Sequence, residues 1–188
     1  RIKSPAQRVR EAGEILLQCW KTYLGRPEGD WNRGAAMNLL GSGLRAARNH
    51  EDALIVTEAE LAMLRRLGAS EEAILGAKCN LAITYGALGD LEKALSMERD
   101  VYSGRLKLHG NEHEETVRAA YNYATSLASL ERFEEARLLL RKPLRVARRV
   151  YGDDDEDTLR MRWIYASALY MDASATLDDL REAATTLE

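Results

Sequence analysis

Apolar residues recur at helical spacing along nearly the whole chain, in paired blocks separated by short polar breaks. Two stretches make the pattern plain: "NLAITYGALGDLEKAL" at 80–95 and "NYATSLASLERFEEAR" at 122–137. In the first, Leu81, Ala82, Tyr85 and Leu88 share one helix face, and Leu91, Ala94, Tyr102 and Leu106 continue on a second helix. In the second, Tyr123, Ala124, Leu127 and Leu130 are followed by Phe133, Ala136, Leu140, Leu144 and Ala147. The alternation expected of a strand is missing. The two stretches are offset by 42 residues.

That offset belongs to a longer register. Bulky residues followed by glycine recur at Gly25, Gly68, Gly110 and Gly152, which are 43, 42 and 42 residues apart. Each glycine suits a left-handed helix terminus, where a Cβ would be strained. Polar residues able to cap the next helix follow: Asp30, Ser70, His113 or Thr116, and Asp155. The chain therefore divides into a leading helix over 4–24, repeats over 33–68, 73–110 and 115–152, and a partial or capping repeat over 157–188. In the leading helix Ser4, Pro5 and Gln7 make a start signal, and Val9, Ala12, Leu16, Trp20 and Tyr23 form a face.

Small residues fall 12 apart in each unit: Gly41/Ala53, Ala82/Ala94 and Ala124/Ala136. They let two antiparallel helices approach closely. The last unit keeps Ala166 but carries Asp178 at the second position. One helix pair is too thin to bury its own apolar face, so neighbouring pairs must stack. The fold class is all-α, a solenoid of antiparallel helix hairpins. Pro143 is expected to kink or break its helix. The stretch "GSGLRAA" at 41–47 matches a dinucleotide fingerprint on paper, but it follows "MNLL" and no strand precedes it. Its glycines read as close-packing positions.

The 188 residues carry a net charge of −3, so the whole-chain field argues for neither nucleic acid nor an acidic membrane. Apolar runs are too short to span a bilayer. Two cysteines, Cys19 and Cys79, form no framework and suit a reducing compartment. The start at Arg1 reads as a segment of a longer polypeptide or complex, with an intracellular, cytoplasmic setting expected. His109 and His113 lack a third ligand, so neither metal nor cofactor is expected. No catalytic motif appears, and no small-molecule substrate is implied.

The segment "LHGNEHEETVRAAYNYATSLASLERFEEARLLLRKPLRVARRVYG" resembles tetratricopeptide repeats of the kinesin-light-chain type, through Gly110, His113, Thr116, Asn122, Ala124, Phe133, Glu135 and Ala136. It departs at Glu114, where the pattern has proline, and at Cys79 and Tyr121, where it has asparagine. The resemblance implies a right-handed α-α superhelix whose first helices line a concave groove for an extended peptide.

Carried over, the groove would present Asn80 and Ile83 in one unit, Arg118, Tyr121, Asn122 and Thr125 in the next, and Arg160, Trp163 and Ser167 in the last. Asn80 and Asn122 could hold a peptide backbone, or each could bond a neighbouring helix. Arg118 and Arg160 could fork to acidic side chains or be solvated near helix starts. Tyr121 and Trp163 could anchor an apolar group or pack in the core. Arg137, Arg141, Arg145 and Arg148 form a basic stripe, expected to be a solvated convex face. The function expected is a non-catalytic scaffold or adaptor for a protein or peptide of acidic character. The alternative is an assembly subunit docking by its ends or by the convex stripe.

Overall fold

The computed structural model describes residues 13, 14, 17, 18, 21, 22, 25–27, 30–172 and 175–187. The leading helix expected over 4–24 lies largely outside them, and those of its residues that are described are helical. Among the described residues every regular element is a helix: α1 Trp31–Ala46, α2 His50–Arg66, α3 Glu71–Leu88, α4 Leu91–His109, α5 Glu114–Ser129, α6 Phe133–Val150, α7 Glu156–Met171 and α8 Leu177–Leu187. The "GSGLRAA" stretch runs inside α1 with no strand before it.

Side-chain caps start the odd-numbered helices. The Asp30 carboxylate accepts from the Asn32 N–H at 2.9 Å and the Ser70 hydroxyl oxygen from the Ala73 N–H at 3.3 Å. Asp155 accepts from the Asp157 and Thr158 N–H groups. Of the two candidates at α5, His113 is the cap: its Nδ1 accepts from the Glu115 N–H, while Thr116 is buried in the first turn. Gly68, Gly110 and Gly152 turn the chain with φ of 61°, 78° and 95°. A second left-handed position closes the turns before α2, α4 and α6, at Arg48 (φ 61°), Gly89 (φ 86°) and Glu131 (φ 58°).

The chain forms two compact units, residues 1–94 and 95–188, divided in the first turn of α4. In the first unit α2 packs against α1 and α3, and α1 also touches α3. Met37, Leu40, Ala53, Leu61, Met63, Leu81 and Ala82 are buried there, together with Thr57, Glu60 and Thr84. Gly41 is a close-packing position: a Cβ added to it would stand 2.9 Å from Thr57 Cγ2. A Cβ on Gly86 would meet the Ala94 Cβ at 3.9 Å, so Ala94 approaches the α3 backbone as its small size allows.

In the second unit α5, α6 and α7 pack together around Val117, Ala124, Leu140, Leu144, Ala147, Met161, Ile164, Tyr165 and Leu169. Each large side chain so buried contributes about 1.5–3 kcal/mol. Pro143 does not break α6, which is continuous over Phe133–Val150 with Pro143 buried inside it. The proline removes one backbone donor, and packing of its ring and of the apolar face around it keeps the helix whole.

α8 packs on α7. It starts with a reciprocal pair: the Thr176 N–H donates to Asp179 at 2.8 Å and the Asp179 N–H to the Thr176 hydroxyl at 3.2 Å. Asp178, at the position where other units hold alanine, is exposed in the first turn. α8 is held by Arg137 to Asp179 at 3.1 Å and by the Tyr165 hydroxyl donating to Glu182 at 2.6 Å. At its far end the buried Arg162 donates from Nε to the Thr186 carbonyl at 2.7 Å.

Candidate functional site

The groove residues expected from the repeat lie on the first helix of each pair, and each unit presents its own set. In the first unit Asn80 sits half-buried on α3 and Ile83 is 40% exposed one turn on. Asn80 is met by a residue the pattern had not singled out, Arg45 of α1. Its Nη1 donates to the Asn80 carbonyl and the Thr84 hydroxyl, both at 3.4 Å. Its Nη2 donates to Asn80 Oδ1 at 3.4 Å and to the Ser42 hydroxyl at 3.1 Å. All four acceptors are neutral, and all four bonds exceed the usual 2.7–2.9 Å of charge-assisted bonds. Burial pulls the guanidinium below its ordinary range, with Cys79 and Glu60 opposing the shift.

Behind this face lies Glu60 of α2, only 4% exposed. Burial pushes its carboxyl up to about 7, while a hydrogen bond with Asn38 and the field of Arg45 act in the other direction. Its Oε2 has no hydrogen-bond partner. The sequence signal for both residues was available but indirect. Arg45 falls one turn after Gly41 on the same face, and Glu60 interrupts the apolar face of α2 between Thr57 and Leu61.

In the second unit the expected residues lie on α5 and α7. Tyr121 is half-buried against the apolar cluster and thus belongs to the core. The Thr125 hydroxyl donates to the Tyr121 carbonyl at 2.9 Å, and Asn122 is half-buried and engaged. Arg118 pairs with Glu115 and Glu114 of its own helix. Arg160 pairs with Glu156 and, at 3.2 Å, with Asp157. These cations are thus already matched locally. Trp163 is different: it is 62% exposed, with half-buried Ser167 and 70% exposed Tyr170 following at i+4 and i+7. Tyr170 extends this stripe beyond Ser167.

The basic stripe of α6 is largely neutralised. Arg137 pairs with Glu134 and Asp179, Arg148 with Asp153, and the neighbouring Arg149 with Glu112. Arg141 and Arg145 are exposed and make no ion pair among the described residues. Among the described residues no cluster of His, Cys, Asp or Glu could hold a metal ion, and no helix is long and apolar enough to cross a membrane.

The tetratricopeptide-repeat profile matches residues 71–145. Residues 71–145 carry tetratricopeptide repeats. Their 42-residue period is similar to that of the kinesin-light-chain type. Two crystal structures of nearly identical TPR-like repeats from Podosopora anserina, in a protein described as a kinesin light chain, match with TM-score 0.80 at 20% identity. That match covers 97% of this chain and 89% of theirs. BtubC (BKLC) from P. vanneervenii matches with TM-score 0.64 and 15% identity, over 98% of this chain and 82% of its own. The apo form of RapI gives TM-score 0.69 and 14% identity, over 100% and 71%. At such identities the likeness is one of fold. No curated protein matches the chain by sequence. The tetratricopeptide repeat is a protein-interaction fold, so protein partners are the class it implies.

Proposed function

We propose that the chain is a protein-interaction scaffold whose first-helix faces seat an extended segment of a partner protein. The observation that carries this reading is Trp163, which leaves most of its ring in solvent beside Tyr170 although the α5–α7 core is otherwise closed. Large aromatic rings of this kind anchor interfaces, because they bury much area at little entropic cost. In the first unit Arg45 and Asn80 supply the polar counterpart. A guanidinium bonded only to neutral acceptors gains a charge partner when a carboxylate arrives. The acidic character of the partner therefore rests on Arg45 more than on Arg118 or Arg160, whose charges Glu114, Glu115, Glu156 and Asp157 already oppose. Asn80 in the first unit and Asn122 in the second are each a backbone-holding group for the partner, with Asn80 also shared with its helix neighbours.

The test is capture of partners from the source cell by wild type, Trp163→Ala and the double variant Asn80→Ala/Asn122→Ala, each checked by circular dichroism. The partner segment is then mapped by cross-linking from position 163. Loss of the same partner in both variants is expected, with Arg141→Glu/Arg145→Glu retaining it. Full recovery by both groove variants would reject the reading. If only the arginine reversal abolished capture, the chain would instead be an assembly subunit docked through α6. The exposed Arg141 and Arg145, without ion pairs among the described residues, favour that second reading.

A further inference from the structure

The interior of the first unit holds a carboxyl group that packing does not require. Glu60 stands 83 residues before Pro143, and Thr57 stands 83 before Leu140, so the matching turn of α6 is filled by apolar groups. The Glu60 side chain is almost wholly enclosed, one oxygen has no partner, and no ion pair closes between it and Arg45. An enclosed carboxyl placed this way favours its neutral form. Yet the cation whose field acts on it is Arg45, the same guanidinium that bonds Asn80 on α3.

We propose that Glu60 is a proton-operated control on the Arg45 side of the docking face: as the neutral acid it leaves the guanidinium charge to a partner's carboxylate, and once ionised it draws that charge inward. This rests on the docking reading given above. The helices packed on α2 are α1 and α3. From α1 the groups facing Glu60 are Arg45 and the Asn38 amide. From α3 the Cys79 thiol acts on the same guanidinium, and Asn80 and Thr84 accept its bonds.

The folded carboxyl titrates near 7 and the unfolded one near 4.5. The folded state therefore holds a proton that the unfolded chain has lost, and its advantage fades as pH climbs through that window. Ionisation costs stability unless Arg45 turns toward it, and turning withdraws the cation from the surface.

Two measurements on the whole chain test this. The thermal midpoint of wild type should fall by about 5 °C between pH 5 and pH 8. Glu60→Gln, which keeps the bond to Asn38, should remove about half of that slope, the buried Glu98 carboxyl supplying the rest, and Arg45→Gln should steepen it. Calorimetric titration with an N-acetylated hexaglutamate peptide, which has no amino group to titrate between pH 6 and 8, should show binding about threefold weaker at pH 8. Glu60→Gln should bind equally at both. A flat wild-type midpoint, or an unchanged slope in Glu60→Gln, overturns the proposal. Equal wild-type binding at both pH values overturns the link to the docking face. If the slope behaves as expected but the peptide never binds, the docking reading at Arg45 fails instead.

Discussion

Helices α1–α3 and α5–α7 follow one register and are filled with opposite chemistry. Positions 83 apart correspond, so Gly41 matches Ala124 and Ala53 matches Ala136. These small residues are buried in both places. Around them Asn38, Arg45, Thr57 and Glu60 of the first set stand against Tyr121, Ala128, Leu140 and Pro143 of the second. The second quartet is closed apolar packing. The first is a polar group with one oxygen unmatched and one guanidinium reaching outward. A repeat register thus fixes where side chains meet, and leaves the chemistry of the meeting to vary from unit to unit. The polar version spends stability, and it is also the one that carries a charge to the surface.

The sharpest way to break this comparison is to hollow the apolar set. Leu140→Ala, at a position with no exposed surface, should cost about 3 kcal/mol, measured by chemical denaturation. Thr57→Ala at the matching position should cost roughly a third of that, since only a methyl and a hydroxyl bonded to its own helix are lost. Equal losses would mean that the two interiors are packed alike. Next comes Gly41→Ala, which drives a methyl into Thr57 Cγ2 and should cost about 2 kcal/mol. A neutral outcome in the same denaturation series would show that α1 and α2 can separate there.

A third test uses Glu98, the α4 residue 42 before Leu140, which is 6% exposed. Burial pushes its carboxyl up to about 7, and a hydrogen bond with Ser126 partly opposes this. The unfolded carboxyl titrates near 4.5, so stability should drop as pH rises from there to 7. Glu98→Gln should then be more stable than wild type by roughly 1–2 kcal/mol at pH 8 and no more stable at pH 4, read from denaturation at both. The smallest effect concerns the turns. Glu131→Gly should add about 1 kcal/mol by relieving a left-handed non-glycine residue, whereas Gly89→Ala should lose a similar amount.

The framework was legible in the sequence because it depends on period and residue size. The glycines at 68, 110 and 152, the caps at Asp30, Ser70 and Asp155, and the close approach at Gly41 all follow from spacing and backbone rules. Helicity across Pro143 was not legible, because the ring's burial outweighs the lost donor and only tertiary packing reveals that. The face residues were half legible. Spacing placed Trp163 and Asn80 on first helices but could not say that Tyr121 turns into the core while Trp163 stays in solvent. Nor could it pair Arg118 and Arg160 with carboxylates three and four residues back in preference to a ligand. Arg45 was missed because its meaning depends on what stands 35 residues away at Asn80.

The mooring of α8 at its last turn also bears on how that helix leaves. Its polar ties run from Asp179 through Glu182 to Thr186, and the last engages a guanidinium enclosed in the interior. Trimming the final residues would strand that charge without its carbonyl, an outcome costlier than ordinary fraying. Detachment should therefore be all-or-none, like a zip that opens only when its bottom stop is cut.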